Sequence, residues 1–306
     1  MASFVNPFMT QAPPGAVWEA GASAANLQWR AIAWNGSLFA AVASSGTGNR
    51  VMTSPDGLIW TSRTSAADRD WYGIAWNGST FVAVADAGVT ACVMTSPDGI
   101  TWTIHNDVGS DHAWVAVAWN GTVFAAVGRT GEIMTSPNGI AWTLQTNPGK
   151  AWTAITANGS LFVAVAQNGT GDTVATSTDG VTWTSRTPAA NYSWAAVAYG
   201  GGLFVALSNG SEVNGVMTSP DGFTWTLRNQ ATPNKSYAGV AYGGGNFVAV
   251  AYNTPGNQSV MTSPDGVTWT IRTTPTTNDW TAIAWNGTLF AAVSINGTGD
   301  RVMTSS

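Results

Sequence analysis

Short hydrophobic runs, separated by polar turns, recur along the whole chain with a regular period. Each run begins with an aromatic residue, and these residues are Trp29, Trp71, Trp114, Trp152, Trp194, Tyr237 and Trp280. Successive members of this series lie 42, 43, 38, 42, 43 and 43 residues apart. A self-similar period of this length is typical of propellers and other repeat architectures. The chain therefore contains seven copies of one structural unit.

The hydrophobic pattern within each copy predicts four short strands. In the second copy these are Trp71–Trp76, Phe81–Ala85, Val93–Thr95 and Thr101–Ile104. Asn77-Gly78 follows the first run and indicates a type I′ hairpin, because both central residues of that turn need a positive φ. Ser96-Pro97-Asp98-Gly99 favours a second turn before the last run. With no helical periodicity, this pattern predicts an all-β fold: one seven-bladed β-propeller over residues 1–306, with four antiparallel strands per blade.

The ends of the chain predict how the ring closes. The last copy stops after its third strand, at residues 302–306, and so lacks a fourth strand. Pro13–Trp18 repeats the pattern of Pro55–Trp60, 42 positions earlier. We expect residues 1–28 to supply the outer strand of the blade that residues 280–306 complete, which leaves no unpaired seam in the ring.

Small residues mark one alternate position of every first strand. They are Ala31, Gly73, Ala116, Ala154, Ala196, Gly239 and Ala282. If the first strands line a central channel, seven blades converge at these positions. We expect a larger side chain there to overpack the hub, at a cost of about 1–3 kcal/mol per site.

The second turn of each copy carries a family resemblance. The sequence Ser-Pro-Asp-Gly-x-x-Trp-Thr stands at 54–61, 96–103, 219–226 and 263–270, with variants at Asn138 and Thr178. It resembles the Asp-box of sialidases and related propellers, with a spacing one residue shorter. The resemblance implies that the box joins the third and fourth strands of a blade. Because Asp-box propellers include glycosidases, lectins and scaffolds, it does not choose a function. The wider pattern is similar to repeats of bacterial and bacteriophage surface proteins.

The composition of the chain argues against some classes of binding partner. Only 9% of the residues are charged and the net charge is −5. The 11 basic residues form no cluster, which argues against a nucleic-acid partner, because such a surface needs grouped Lys and Arg. No apolar run approaches the roughly 18 residues of a membrane span, and the first residues lack the pattern of a secretory signal. We expect a soluble protein that is made in the cytoplasm and does not insert into membranes.

The ionisable residues argue against catalysis. The resemblance implies that a sialidase-like site would need an arginine triad, a tyrosine paired with a glutamate, and an aspartic acid, all at the hub. The regular arginines fall instead on predicted outer strands, at Arg63, Arg186, Arg228 and Arg272. His105 repeats the same position, and His112 has no second ligand at metal spacing. We therefore expect no enzymatic activity, no metal and no cofactor.

The aromatic series from Trp29 to Trp280 is the candidate ligand site. These residues begin the first strands, beside the long loops, on the face where propellers often bind ligands. An aromatic face there could stack on a sugar while loop amides and hydroxyls read its hydroxyl groups. The alternative is that these side chains cap the core of the hub.

Two functions fit these features. The first is a lectin-like propeller that binds glycans or surface polysaccharide at several equivalent sites, as an adhesin or receptor-binding component, and gains strength through multivalency. The second is a structural or decoration protein of a phage virion or cell surface. In that role the disc is a rigid docking platform for other virion or surface proteins.

Overall fold

The computed structural model describes residues 12–86, 91–106, 108–109, 112–167, 171–210, 212–232, 235–252 and 256–305. These residues form 28 strands in seven antiparallel sheets of four strands each. The first strands of neighbouring blades contact one another all the way round the ring. The prediction of a seven-bladed all-β propeller is confirmed.

The strands are numbered in chain order. The closing strand β1 spans Glu19–Gly21, and the first blade contains β2 (Trp29–Trp34), β3 (Phe39–Ala43), β4 (Val51–Ser54) and β5 (Thr61–Arg63). The second blade contains β6 (Trp71–Trp76), β7 (Phe81–Ala85), β8 (Val93–Ser96) and β9 (Thr103–His105). The third contains β10 (Trp114–Trp119), β11 (Phe124–Gly128), β12 (Ile133–Ser136) and β13 (Thr143–Gln145). The fourth contains β14 (Trp152–Ala157), β15 (Phe162–Ala166), β16 (Val174–Ser177) and β17 (Thr184–Arg186).

The remaining blades follow the same plan. The fifth contains β18 (Trp194–Gly200), β19 (Leu203–Ser208), β20 (Val216–Ser219) and β21 (Thr226–Arg228). The sixth contains β22 (Ser236–Gly243), β23 (Asn246–Tyr252), β24 (Val260–Ser263) and β25 (Thr270–Arg272). The last contains β26 (Trp280–Trp285), β27 (Phe290–Ser294) and β28 (Val302–Ser305), with β1 as its fourth strand.

Every first strand contains a β-bulge directly after its aromatic residue. In the first blade Trp29 pairs with Ala43 and Ala31 pairs with Val42, so that Arg30 is the extra residue between them. The other six blades show the same shift in register. A bulge bends its strand and re-aims the side chain of the extra residue. Each blade therefore presents one side chain whose direction the bulge sets.

The ring closes through an N-terminal strand, as predicted. Strand β1 pairs antiparallel with β28, with Glu19 opposite Thr304 and Gly21 opposite Val302. This pairing covers the outer edge of the last blade. Of the segment 1–28 that the sequence assigns to this blade, residues 1–11 lie outside the described residues.

The Ser-Pro-Asp-Gly turn is a small network of hydrogen bonds. In the second blade the N–H of Gly99 donates to Ser96 Oγ at 2.8 Å, and the N–H of Thr101 donates to Asp98 Oδ1 at 2.9 Å. The bond from Thr101 is the main reason that the pKa of Asp98 lies below its usual value. The indole N–H of Trp102 donates to the Gly99 carbonyl at 3.0 Å, and the ring is only 8% exposed. The turn tryptophan therefore packs inside the blade.

The last blade builds the same turn from the two ends of the chain. The N–H of Gly15 donates to Ser305 Oγ at 2.9 Å, across 290 residues of sequence. The indole N–H of Trp18 donates to the Gly15 carbonyl at 2.8 Å. Gly99, Ser96 and Trp102 make the corresponding bonds within one continuous segment. The closing strand is thus held by a copy of the repeat's own turn.

The hub explains why small residues recur in the first strands. A Cβ atom added to Gly73 would lie 2.9 Å from the Cα atom of Ala116 in the next blade. A Cβ atom added to Gly239 would lie 3.1 Å from Ala282 Cα. Neighbouring backbones approach so closely at these two points that even a methyl group meets the next blade.

Candidate functional site

A cavity of about 610 Å³ occupies the central channel. Its wall is made of the small first-strand residues Ala31, Gly73, Ala116, Ala154, Ala196, Gly239 and Ala282. We call the end where the first strands begin and the second strands end the loop face. The opposite end, which carries the Asn-Gly and Ser-Pro-Asp-Gly turns, is the turn face.

The loop-face mouth of the channel is formed by the bulge residues and by residues at the ends of second strands. The bulge residues are Arg30, Tyr72, Val115, Thr153, Ala195, Ala238 and Thr281, and all seven line the cavity. Arg129, Gln167, Tyr252 and Ile295 line it from the ends of the second strands. The seven blades therefore contribute different side chains to one shared mouth.

Two arginines and a tyrosine form a cluster on one side of the mouth. The guanidinium carbons of Arg30 and Arg129 lie 4.9 and 5.1 Å from the centre of the Tyr72 ring. Such contacts orient a cation without neutralising its charge. Because the three residues come from the first, second and third blades, the cluster ties neighbouring blades together at the mouth.

Each arginine of the cluster is held by a second contact. Arg30 Nε donates to Ser44 Oγ at 2.8 Å, and its Nη2 donates to Gln28 Oε1 at 3.0 Å. Arg129 Nη1 lies 2.9 Å from Asp86 Oδ2 in an ion pair, and the Arg129 side chain is 43% exposed. Arg30 is therefore anchored by neutral groups, and Arg129 keeps a large accessible surface.

Two threonines at the mouth form hydrogen bonds between neighbouring blades. Thr281 Oγ1 donates to the Trp29 carbonyl at 2.8 Å, across the seam between the last and first blades. Thr153 Oγ1 donates to the Trp194 carbonyl at 2.6 Å in the next blade. These hydroxyls form bridges between blades, which leaves the arginines, the tyrosines and Gln167 as the polar side chains of the mouth that can bind a ligand.

The aromatic series predicted as the ligand site lies inside the blades. All seven residues, Trp29, Trp71, Trp114, Trp152, Trp194, Tyr237 and Trp280, are 0% exposed. The indole N–H groups of Trp29 and Trp71 donate to the carbonyls of Ala25 and Ala67 at 3.1 and 3.2 Å. Stacking on a sugar needs an accessible ring face, so this burial is inconsistent with direct ligand contact and favours the alternative, that these residues cap the core. The candidate site therefore moves by one residue along each first strand, to the bulge.

The regular arginines lie on outer strands, where the sequence placed them. Nε of Arg63 donates to Thr53 Oγ1 at 2.9 Å, and Arg186, Arg228 and Arg272 make the same bond in their blades. His105 Nε2 lies 2.8 Å from Thr95 Oγ1 at the equivalent position. These residues are repeated structural contacts and do not converge on the channel.

Within the described ranges, no group of three or more His, Cys, Asp or Glu side chains is arranged to hold a metal ion. Over the same residues, no helix combines the length and the apolar character that crossing a bilayer requires.

Comparison with known proteins supports the fold. The family model of the DUF6242 beta propeller domain matches residues 54–194, which is slightly less than half of the chain. No curated protein sequence matches. Virginiamycin B lyase from Staphylococcus aureus superposes with a TM-score of 0.79 at 10% identity, covering 94% of this chain and 98% of the lyase.

Two other solved propellers are similar over nearly their whole length. A structure of YCF48 bound to D1 peptide gives a TM-score of 0.71 at 15% identity, covering 97% of this chain and 99% of that one. The Cps50 (Swd1) propeller domain of Myceliophteria thermophila gives 0.67 at 13% identity, with coverages of 95% and 99%. At these identities the likeness concerns the fold, since propellers of one shape perform unrelated functions.

The mouth residues were missed by sequence reasoning, although the sequence contains a signal for them. The position after the aromatic residue reads Arg, Tyr, Val, Thr, Ala, Ala and Thr in the seven copies, while its neighbours are nearly constant. A position that varies inside a constant strand is not needed by the repeat itself. Variation between the copies, and not repetition, therefore indicates where a specific site can lie.

Proposed function

We propose that this chain is a non-catalytic, lectin-like propeller that binds a glycan at the loop-face mouth of its channel. The cavity carries the proposal, because it is a concave, mostly apolar space with a few polar side chains at its opening, as small-ligand sites commonly are. Arg30, Tyr72, Gln167 and Tyr252 offer donors and acceptors that suit sugar hydroxyl groups. This use of the propeller agrees with the resemblance of its turns to the Asp-box of sugar-binding propellers.

The lining of the cavity supports a binding role over catalysis. Among the described residues that line it there is no Asp, Glu, His, Cys or Lys. Glycoside hydrolysis ordinarily uses two carboxyl groups on either side of the scissile bond. A similar fold does serve an enzyme, virginiamycin B lyase, but chemistry depends on the side chains that a fold presents.

The shape of the site changes the expected stoichiometry. The sequence suggested several equivalent sites, one per blade, but the blades contribute different residues to a single mouth. We therefore propose one glycan per propeller. Strong attachment to a surface would then require several propellers on one particle or assembly.

The test fills the mouth and leaves the rest of the disc unchanged. Ala195 and Ala238 are bulge residues, and the bulge already accommodates a tyrosine at Tyr72. The double variant Ala195→Tyr, Ala238→Tyr should fold and lose binding on a glycan array that includes bacterial surface polysaccharides. Val181→Tyr is the matched control, because Val181 is exposed on the turn face, and it should bind as the unmodified chain does. Equal binding by both variants would exclude the channel mouth, and no binding by the unmodified chain would exclude the lectin function.

A second candidate function, a protein-docking platform, is favoured by the turn face. The residue after the turn glycine is apolar and 40–51% exposed in six blades, at Leu58, Ile100, Ile140, Val181, Phe223 and Val267. Apolar side chains repeated on one face are a feature of interaction surfaces. YCF48, which has a similar fold, is bound to a D1 peptide, so a protein partner suits this architecture.

This candidate has its own test on the other face. The triple variant Leu58→Ser, Ile100→Ser, Ile140→Ser removes three of the exposed apolar side chains. If the chain is a decoration protein, it should co-sediment with the virion or cell-surface fraction in which it is produced, and the triple variant should be released. The unmodified chain appearing only in the free fraction would remove this candidate.

A further inference from the structure

We infer that the ligand of the channel mouth carries an anionic group, and that Arg30 and Arg129 bind it. The inference rests on the proposed glycan-binding function and narrows its ligand to acidic glycans. The shared chemistry is a carboxylate or a phosphoryl group, either of which a guanidinium can bind through two parallel hydrogen bonds.

The distribution of charge is the first argument. The chain has a net charge of −5 and only 11 basic residues among 306. Two of these eleven lie at the mouth of one cavity, and none of its described lining residues is acidic. Because a low-dielectric wall focuses the field of charges at a cleft, the mouth attracts anions although the protein as a whole repels them.

The contacts of Arg30 are the second argument. Its hydrogen-bond partners, Ser44 and Gln28, are neutral, so its positive charge has no counter-charge among the contacts described. The ring of Tyr72 lies against the guanidinium and holds it at the mouth. An arginine oriented in this way is arranged to receive a negative group without a large loss of side-chain entropy on binding.

Arg129 completes the site and limits its charge. Asp86 neutralises part of Arg129 through the contact of 2.9 Å, which leaves the cluster of two arginines and one aspartate with a net charge of +1. Both guanidinium groups contact the same Tyr72 ring, so the two positive charges lie beside one shared aromatic partner at a single mouth. The expected ligand therefore presents one acidic group at the mouth, with its neutral hydroxyl groups toward Gln167 and Tyr252.

The experiment compares matched ligands by calorimetric titration of the full chain. The probes are a galacturonic acid tetramer, the neutral galactose tetramer of the same length, and inorganic phosphate. We expect the acidic tetramer to bind on the order of tenfold or more tightly than the neutral one, as charge-assisted hydrogen bonds allow. Its affinity should also fall as salt is added, because added ions screen the charges.

Three variants separate this site from a general charge effect. Arg30→Ala and Arg129→Ala should each remove the preference for the acidic tetramer, and Arg30→Lys should restore part of it. Arg63→Ala removes the same charge from an outer strand, where Nε of Arg63 bonds Thr53 Oγ1, and should leave the preference intact. Melting temperatures check that each variant is folded, and Arg30→Lys keeps the site testable if an alanine variant does not fold.

The outcomes test the acidic-ligand inference separately from the glycan-binding function on which it rests. Equal binding of the acidic and neutral tetramers overturns the inference and leaves the lectin proposal standing. Binding of neither tetramer overturns the inference for this acidic sugar, and together with no binding on the glycan array it overturns both proposals. A further outcome is that phosphate binds in competition with the acidic tetramer and that this binding is absent in Arg30→Ala. That result supports the anion site and extends it to phosphorylated glycans. Phosphate binding that survives both alanine variants contradicts the assignment of these two arginines.

Discussion

The closing strand allows a quantitative test of how the ring is held together. Trp18 and Trp102 hold equivalent positions, are 7% and 8% exposed, and make the same indole hydrogen bond, at 2.8 and 3.0 Å. Truncating a buried tryptophan to alanine costs about 3–5 kcal/mol. We expect Trp102→Ala to lower the free energy of unfolding by this full amount. Its strand is joined to the rest of the chain at both ends, so it cannot detach while the other blades stay folded.

Trp18→Ala should lose less stability than Trp102→Ala. Strand β1 pairs with β28 over only three residues, and no described strand precedes it. Once its tryptophan is gone, the segment 12–21 can detach while the other blades stay folded. The loss in the free energy of unfolding is then limited to the free energy with which this segment docks.

The assay combines urea denaturation with hydrogen exchange of β28 and β8. In Trp18→Ala, amide exchange should rise in β28, which loses its outer partner, and stay unchanged in β8. In Trp102→Ala, the unfolding midpoint should fall further, without selective exchange in β28. Equal losses of stability together with unchanged exchange in β28 would refute the idea that the closing strand docks as a separate unit.

Three further predictions concern the blades. Gly73→Ala should lower the free energy of unfolding by about 1–3 kcal/mol, because its Cβ would meet the next blade at 2.9 Å; Gly21→Ala, with its nearest contact at 3.6 Å, is the control and should be neutral in urea denaturation. Asp98 has a lowered pKa when folded, so its carboxylate stabilises the fold above its unfolded pKa and loses that effect as pH falls through the folded value. Asp98→Asn should therefore fold with a melting temperature that falls less between pH 7 and pH 3, since Asn138 makes the same turn bonds, and an unchanged pH profile would contradict this. Thr281→Val should cost about 1 kcal/mol by removing the bond to the next blade, and an unchanged urea midpoint would show that this bridge is dispensable.

The repeat made the fold predictable from sequence. Asn77-Gly78 and Ser96-Pro97-Asp98-Gly99 each predict a turn from its backbone requirements. Asn-Gly recurs in five of the seven copies, and Ser-Pro-Asp-Gly stands unchanged in four. The truncated last copy and the match between Pro13–Trp18 and Pro55–Trp60 predicted the closing strand, because a missing strand must be supplied from elsewhere. Where a local signal recurs in most copies, the copies that carry it also identify the turn in those that do not.

The site was not predictable in the same way. The alternation of the first strand assigns Trp29 and Ala31 to one face, but the bulge at Arg30 interrupts that alternation. A bulge is a property of backbone register, and β2 contains no glycine or proline that would indicate it. The aromatic residues were also predicted to bind a ligand, because exposed rings can stack on sugars. In the structure they are buried and fill the space between blades.

The turn formed by Gly15 and Ser305 has a consequence for the orientation of the protein when it is attached to a support. Gly15 and Ser305 meet on the turn face, while the cavity opens on the loop face. A tether that continues from Ser305 would start beside that turn, at the end of the disc opposite the mouth. A molecule fixed to a bead or a particle through such a tether would have its channel mouth facing away from the support.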